Sequence, residues 1–183
     1  MVDLQNQYFK IKNEVDNAVL NVMESAQFIN GSEVKYFQKE MEEYLNVKNV
    51  IPCANGTDAL QIALMALGLE EGDEVITADF TFAATVEVIH LLKLKSVLVD
   101  VDYDTFTIDP EKIRQAITPK TKAIIPVHLF GQCANMEEIL KIAKEHNLFV
   151  IEDNAQAIGA EYTFSDGSVK KSGTMGTIGT TSF

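Results

Sequence analysis

Basic residues are scarce in this chain: 15 Lys and Arg stand against 27 Asp and Glu in 183 residues, a net charge of −12. No long Lys or Arg run offsets that balance locally. A nucleic-acid partner needs clustered cations to neutralise phosphates, so that class is excluded, and any anionic ligand must find a local site. Cysteine is almost absent too. Cys53 and Cys133 are the only two and form no C-x-x-C pair, which leaves too few ligands for a structural zinc or a disulfide framework. No metal is expected, a reducing cytoplasm fits, and both thiols read as buried small hydrophobes. Long apolar runs are missing as well. None approaches the ~18 residues of a spanning helix, and the first residues show no basic segment leading into an apolar one, so neither membrane nor signal peptide is expected. Repeats, low-complexity tracts, a G-x-G-x-x-G and a P-loop lysine are all lacking, which leaves ATP and dinucleotides without a motif.

What is present is a composition 46% hydrophobic, enough for a sizeable core in one large domain or part of a larger one. From residue 50 onward, β-branched runs alternate with helical periods, the pattern of an α/β fold with a mostly parallel sheet flanked by helices. Strands are predicted at 74–78, 96–101, 122–127 and 148–152. Helices are predicted at 57–67, closed by Gly68, and at 81–92; Asp109-Pro110-Glu111 opens another, and Asn135 caps one running to about His146. Upstream, amphipathic helices at 7–26 and 32–45 flank an Asn30-Gly31 turn. Asp166-Gly167 predicts a hairpin between 161–163 and 168–171. Gly173, Gly176 and Gly179 then recur every third residue.

Ligands of open α/β sheets bind beyond the carboxyl ends of the strands, so the residues just after each strand carry the candidates. Asn55-Gly56-Thr57-Asp58 runs a glycine turn into a helix, which is either an anion site or ordinary capping by Asn55 or Thr57. Phe82, after the first strand, is either a stacking surface for a planar ring or a core residue. Glu152 and Asp153 end an apolar strand and point to opposite faces, so their tasks differ. A buried carboxylate there needs a metal, an Arg or a protonated ring nitrogen, unless it serves as a cap or in a salt bridge. The small and hydroxyl residues from Gly173 to Ser182 suit either close approach to a phosphate or the lead-in to a strand. His128 is either a cleft residue or a structural one.

In this order, those segments resemble the DegT/DnrJ/EryC1/StrS family of sugar aminotransferases, along essentially the whole chain from Asp3-Leu4 and Phe28-Ile29-Asn30-Gly31 onward. The resemblance implies a pyridoxal phosphate (PLP) enzyme of aminotransferase fold type I. It assigns Gly56 and Thr57 to the phosphate site, Phe82 to stacking on the ring, Asp153 to the pyridinium nitrogen, Gln156 to the neighbourhood of the phenolic oxygen, and Ser182 to completion of the phosphate site. Asp153 is the implied catalytic residue within the chain. The family's Schiff-base lysine falls about five residues after Ser182, and the sequence stops at Phe183 in an apolar run. The resemblance therefore implies a helical segment over 1–30, a PLP-binding large domain over 31–183 cut before that lysine, and a small C-terminal domain beyond. Asn154 departs from a position often small in the family. The Phe-Ile-Asn-Gly, Asn-Gly-Thr-Asp-Ala-Leu-Gln and Glu-Asp-Asn-Ala-Gln-Ala segments most resemble members that aminate UDP-linked 3-keto sugars of N-acetylated glucuronate. That implies L-glutamate as donor, a UDP-sugar acceptor, a role in surface polysaccharide synthesis and a homodimer. The alternative is a non-catalytic regulator that binds the cofactor or a nucleotide sugar on the same fold.

Overall fold

A computed structural model describes residues 3–183. The chain divides into two compact units, the first ending at Pro52 and the second spanning Cys53–Phe183. In the first, helix α1 (Leu4–Ser25) is capped by the Asp3 carboxylate, which accepts the Asn6 amide, and it ends where Ala26 turns left-handed. Helix α2 (Ser32–Leu45) follows Gly31, where a Cβ would lie 2.4 Å from the Gln27 carbonyl oxygen. Only glycine fits that turn. The turn at 28–31 thus separates two helices of one unit.

The second unit is an α/β layer structure. Its elements run α3 (Gly56–Ala66), β1 (Glu74–Ala78), α4 (Ala83–Leu91), β2 (Lys95–Val99), α5 (Pro110–Ala116), β3 (Thr121–Ile125), α6 (Met136–His146), β4 (Phe149–Asp153), β5 (Glu161–Thr163), β6 (Val169–Lys171) and β7 (Ile178–Thr180). Five strands form one sheet in the order β2-β1-β3-β4-β7, every neighbouring pair parallel. β5 and β6 make the hairpin across Asp166-Gly167, antiparallel as the turn signal requires.

The central strands are buried on both faces, which is why they read as continuous apolar runs. Alternate side chains feed two cores. Val75, Ala123, Ile125 and Ile151 pack with Leu60 and Leu64 of α3 and Val88 and Ile89 of α4. Ile76, Ile124 and Val150 pack on the other face with Ile113 of α5 and Ile139 and Ile142 of α6. Each such Val, Leu or Ile side chain contributes roughly 1.5–3 kcal/mol by leaving water.

Strand limits shift for local reasons. β2 ends at Val99 because Val101 instead bridges antiparallel to Ile108. β3 ends before Pro126, which has no N–H for a ladder. β4 extends to Asp153, whose register partner is Thr180 of β7.

The every-third-residue glycines answer to packing rather than to a ligand. A Cβ on Gly176 would meet the Val150 carbonyl oxygen at 2.7 Å, and one on Gly179 would meet that of Gly173 at 1.9 Å. They let the chain press against β4 and against its own turn on the way into β7.

Candidate functional site

The segment just after β3, the carboxyl ends of β4 and β7 and the first turns of α3 and α4 surround a cavity of about 400 Å³. At one end, Asn55 caps α3: its side-chain oxygen accepts the Asp58 amide at 2.9 Å, and its amide nitrogen meets the Asp58 carboxylate at 3.1 Å. Capping and an open helix start therefore coexist. The amides of Gly56 and Thr57, first in the helix, have no intrahelical acceptor, and both residues line the cavity at the positive end of the helix dipole. Gly56 is required here, since a Cβ would lie 2.8 Å from Ser182 Cβ and 3.2 Å from its hydroxyl oxygen. That closeness brings the Ser182 hydroxyl to the helix start.

Phe82 is the N-cap residue of α4, 70% exposed, with its ring on the cavity wall. The core reading of this residue fails because α4 turns its buried side toward Ala84, Thr85, Val88 and Ile89. Asp153 closes β4, lines the same cavity and is only 5% exposed. Its Oδ2 accepts the Thr85 hydroxyl at 2.8 Å and its Oδ1 the Ala155 amide at 3.3 Å. Among the described residues no Lys, Arg or His pairs with it. Gln156 joins the lining from the loop after β4, where its side-chain oxygen accepts the Phe130 amide at 3.4 Å and its carbonyl the Gly131 amide. Thr180, Thr181 and Ser182 add hydroxyl-bearing residues from β7 and the segment after it.

All six residues assigned by resemblance, Gly56, Thr57, Phe82, Asp153, Gln156 and Ser182, thus line one cavity. A helix start with hydroxyls suits a phosphate dianion, an exposed aromatic face suits a flat ring, and a buried carboxylate without a protein cation suits a protonated ring nitrogen. That donor set fits PLP. Among the described residues no cluster of His, Cys, Asp and Glu forms a metal site.

Four other residues fall outside the cavity or differ from expectation. His128 is structural: fully buried, it sits 2.8 Å from Glu152 through Nε2 and accepts the Ala134 amide on Nδ1. Glu152, on the other face of β4 from Asp153, accepts the amides of Gly173, Met175 and Gly176 as well. Cys53 is exposed rather than buried, because it lies in the extended segment before α3, where no core side chain covers it. Cys133 is half-buried, and its thiol is pushed up to about 11 by desolvation and then by the Glu152 charge.

Sequence reasoning gave Thr85 no role and took Thr180 and Thr181 only as members of the hydroxyl-bearing 173–182 stretch; a threonine in the first turn of a helix carries no signal until the fold places it. A second hollow, of about 520 Å³, lies at the amino ends of β3 and β4 and includes Thr118, Lys122 and His146. That edge is opposite the one where open α/β sheets bind ligands, and it holds none of the six residues. No described helix is long and apolar enough to cross a membrane.

Comparison with known proteins bears on the family and the fold. The UDP-2-acetamido-2-deoxy-3-oxo-D-glucuronate aminotransferase of Pseudomonas aeruginosa is 46% identical over 182 residues, covering 100% of this chain and 49% of its own. A protein named pleiotropic regulatory protein, from Geobacillus stearothermophilus, is 50% identical over 183 residues, covering 100% of this chain and 48% of its own. The chain spans about half the length of these curated relatives. The crystal structure of a DegT DnrJ EryC1 StrS aminotransferase from Brucella abortus superposes with a TM-score of 0.94 at 42% identity, over 100% of this chain and 49% of that one. Solved neighbours include proteins with bound PMP or hydrated PLP, and pyridoxal phosphate is the cofactor these likenesses indicate. The model of the DegT/DnrJ/EryC1/StrS aminotransferase family matches residues 9–183, and the chain belongs to that family.

Proposed function

We propose that the chain is the N-terminal, cofactor-holding part of a PLP-dependent aminotransferase that moves an amino group from L-glutamate to a UDP-linked keto-sugar, giving an amino sugar for surface polysaccharide. The observation that carries this reading is the buried Asp153 carboxylate, without a cationic protein partner, in the same cavity as an open helix start and two hydroxyl-bearing residues, Thr57 and Ser182. When bound, PLP would withdraw electrons from the carbon bonded to the transferred nitrogen and so ease loss of that carbon's proton. Asp153 holds the ring-nitrogen proton by opposite charge, which keeps that withdrawal strong. The Gly56 and Thr57 amides with the Thr57 and Ser182 hydroxyls anchor the phosphate without Lys or Arg. Phe82 covers one face of the ring, and Gln156 stands beside it. In the proposed organisation a helical N-terminal segment precedes this PLP-binding domain, and a small C-terminal domain completes a cytoplasmic homodimer.

The test is the glutamate half-reaction of the full-length protein, read as 2-oxoglutarate released per bound cofactor. Stoichiometric release supports the enzyme. Asp153→Ala should keep the cofactor but slow release by about 10²-fold or more, the scale seen when a preorganised electrostatic partner is removed. Unchanged turnover in that variant would sink the assignment. A second reading, a regulator that binds the cofactor or a nucleotide sugar without turnover, is favoured by the likeness to the protein named as regulatory. Cofactor uptake with no 2-oxoglutarate selects it.

A further inference from the structure

We propose that Thr85 is a positioning residue for Asp153, fixing the acid's orientation and its distance from the aromatic face of Phe82. The inference rests on the reading of Asp153 as partner of the cofactor's ring nitrogen. Thr85 is fully buried in the first turn of α4. A threonine in a helix commonly returns its hydroxyl to a carbonyl three or four residues back. Thr85 does not. Its single hydroxyl proton goes 2.8 Å to Asp153 Oδ2, across 68 residues of sequence. The Thr81 hydroxyl stands 3.0 Å from the Thr85 oxygen, and because the Thr85 proton is already committed, Thr81 is the donor in that contact. Two hydroxyls therefore form a directed chain from the loop before α4 to the acid. With the Ala155 amide on Oδ1, each carboxylate oxygen has one protein donor, so the carboxylate plane is set before any ligand arrives.

The same hydrogen bond fixes a second relation. The Thr85 amide donates to the Phe82 carbonyl at 3.2 Å, so both residues belong to one helical turn. Docking Thr85 onto Asp153 therefore places the ring-stacking surface relative to the acid. One hydroxyl couples the partner of the nitrogen to the wall against the ring face.

The experiment uses full-length protein loaded with PLP carrying ¹⁵N in the ring, and follows that resonance against pH. Among the described residues, Asp153 bears the only charged side chain lining the cavity; Glu152 faces the other side of β4, and Asp58 of α3 is engaged by Asn55. Thr85→Val, which keeps the shape and removes the donor, should lower the midpoint for loss of the nitrogen proton by about one pH unit. Thr85→Ser should restore the wild-type midpoint, and Asp153→Asn should lower it further. A wild-type midpoint in Thr85→Val alongside a shifted one in Asp153→Asn overturns the proposal alone. A protein that takes up no cofactor, or an Asp153→Asn midpoint that stays in place, overturns the underlying reading as well. If Thr85→Val does not fold, Thr81→Val at its half-buried position carries the test: a smaller shift in the same direction supports the chain, and an unchanged midpoint overturns it.

Discussion

Two adjacent carboxylates show how much a single residue's surroundings decide. Glu152 and Asp153 follow one another on β4, both buried, and differ in every partner. His128 Nδ1 accepts the Ala134 amide, so Nε2 carries the proton and donates to Glu152. With three amides of the 173–176 turn, the Glu152 carboxylate then has four donors and needs no cation. Asp153 has two donors and an open side toward the cavity. Alternation along a strand was enough to separate their tasks in the sequence, but the donors come from residues far along the chain and had no local signature. Cys133, beside this buried charge, gives a direct check at the same scale. The thiolate is the reactive form, and a thiol pushed up to about 11 stays protonated at pH 8, with a thiolate fraction of about one in a thousand. Iodoacetamide on the native protein at pH 8 should therefore modify the exposed Cys53 and spare Cys133, as peptide mass spectrometry would show. Comparable labelling of the two would contradict the burial and the charge assigned to Cys133.

Elements differed in how openly the sequence announced them. β1, β3 and β4 are buried on both faces, and their apolar runs stand out without help from neighbours. Helices α5 and α6 carry their own caps in Asp109 and Asn135. β7 is three residues long and contains a glycine; it exists through pairing with β4, so composition alone left it undecided between ligand loop and strand. The glycine spacing acquires its meaning from that pairing. Gly179→Ala would put a methyl 1.9 Å from the Gly173 carbonyl oxygen, where backbone rather than a flexible side chain must move. Gly167→Ala meets nothing within 4 Å and strains only a left-handed φ of 83°, a cost of about 1–2 kcal/mol. Urea denaturation should show the Gly179 variant losing distinctly more stability than the Gly167 variant, about 3 kcal/mol or more, the range of large backbone and packing lesions. Equal losses would mean that the turn and β7 are not held as tightly as the close contacts demand.

Over the whole molecule, charge and site composition point to what the chain does not supply alone. A net charge of −12 surrounds a cavity whose lone charged side chain among the described residues is an acid. In the proposed site amides and hydroxyls would hold the phosphate without cations, but among the described residues no lysine or arginine lies on the lining for the diphosphate of the proposed UDP-sugar. In the proposed enzyme such cations, and the lysine that carries the cofactor, belong to another part of the complete protein or to a second copy. Among the described residues no lysine lines the cavity; Lys170 and Lys171 lie on β6 in the hairpin, outside its lining. The expectation can be read with borohydride, which traps a cofactor aldehyde on the amine that holds it. Mixed with PLP and reduced, the 183-residue chain should give only scattered, substoichiometric labelling of surface lysines. The full-length protein should give one stoichiometric site, mapped by mass spectrometry to a lysine following Phe183. Stoichiometric trapping at a lysine within the 183 residues would show that an element able to reach the cavity has been misplaced, and the division of labour between this chain and the rest of the enzyme would have to be redrawn.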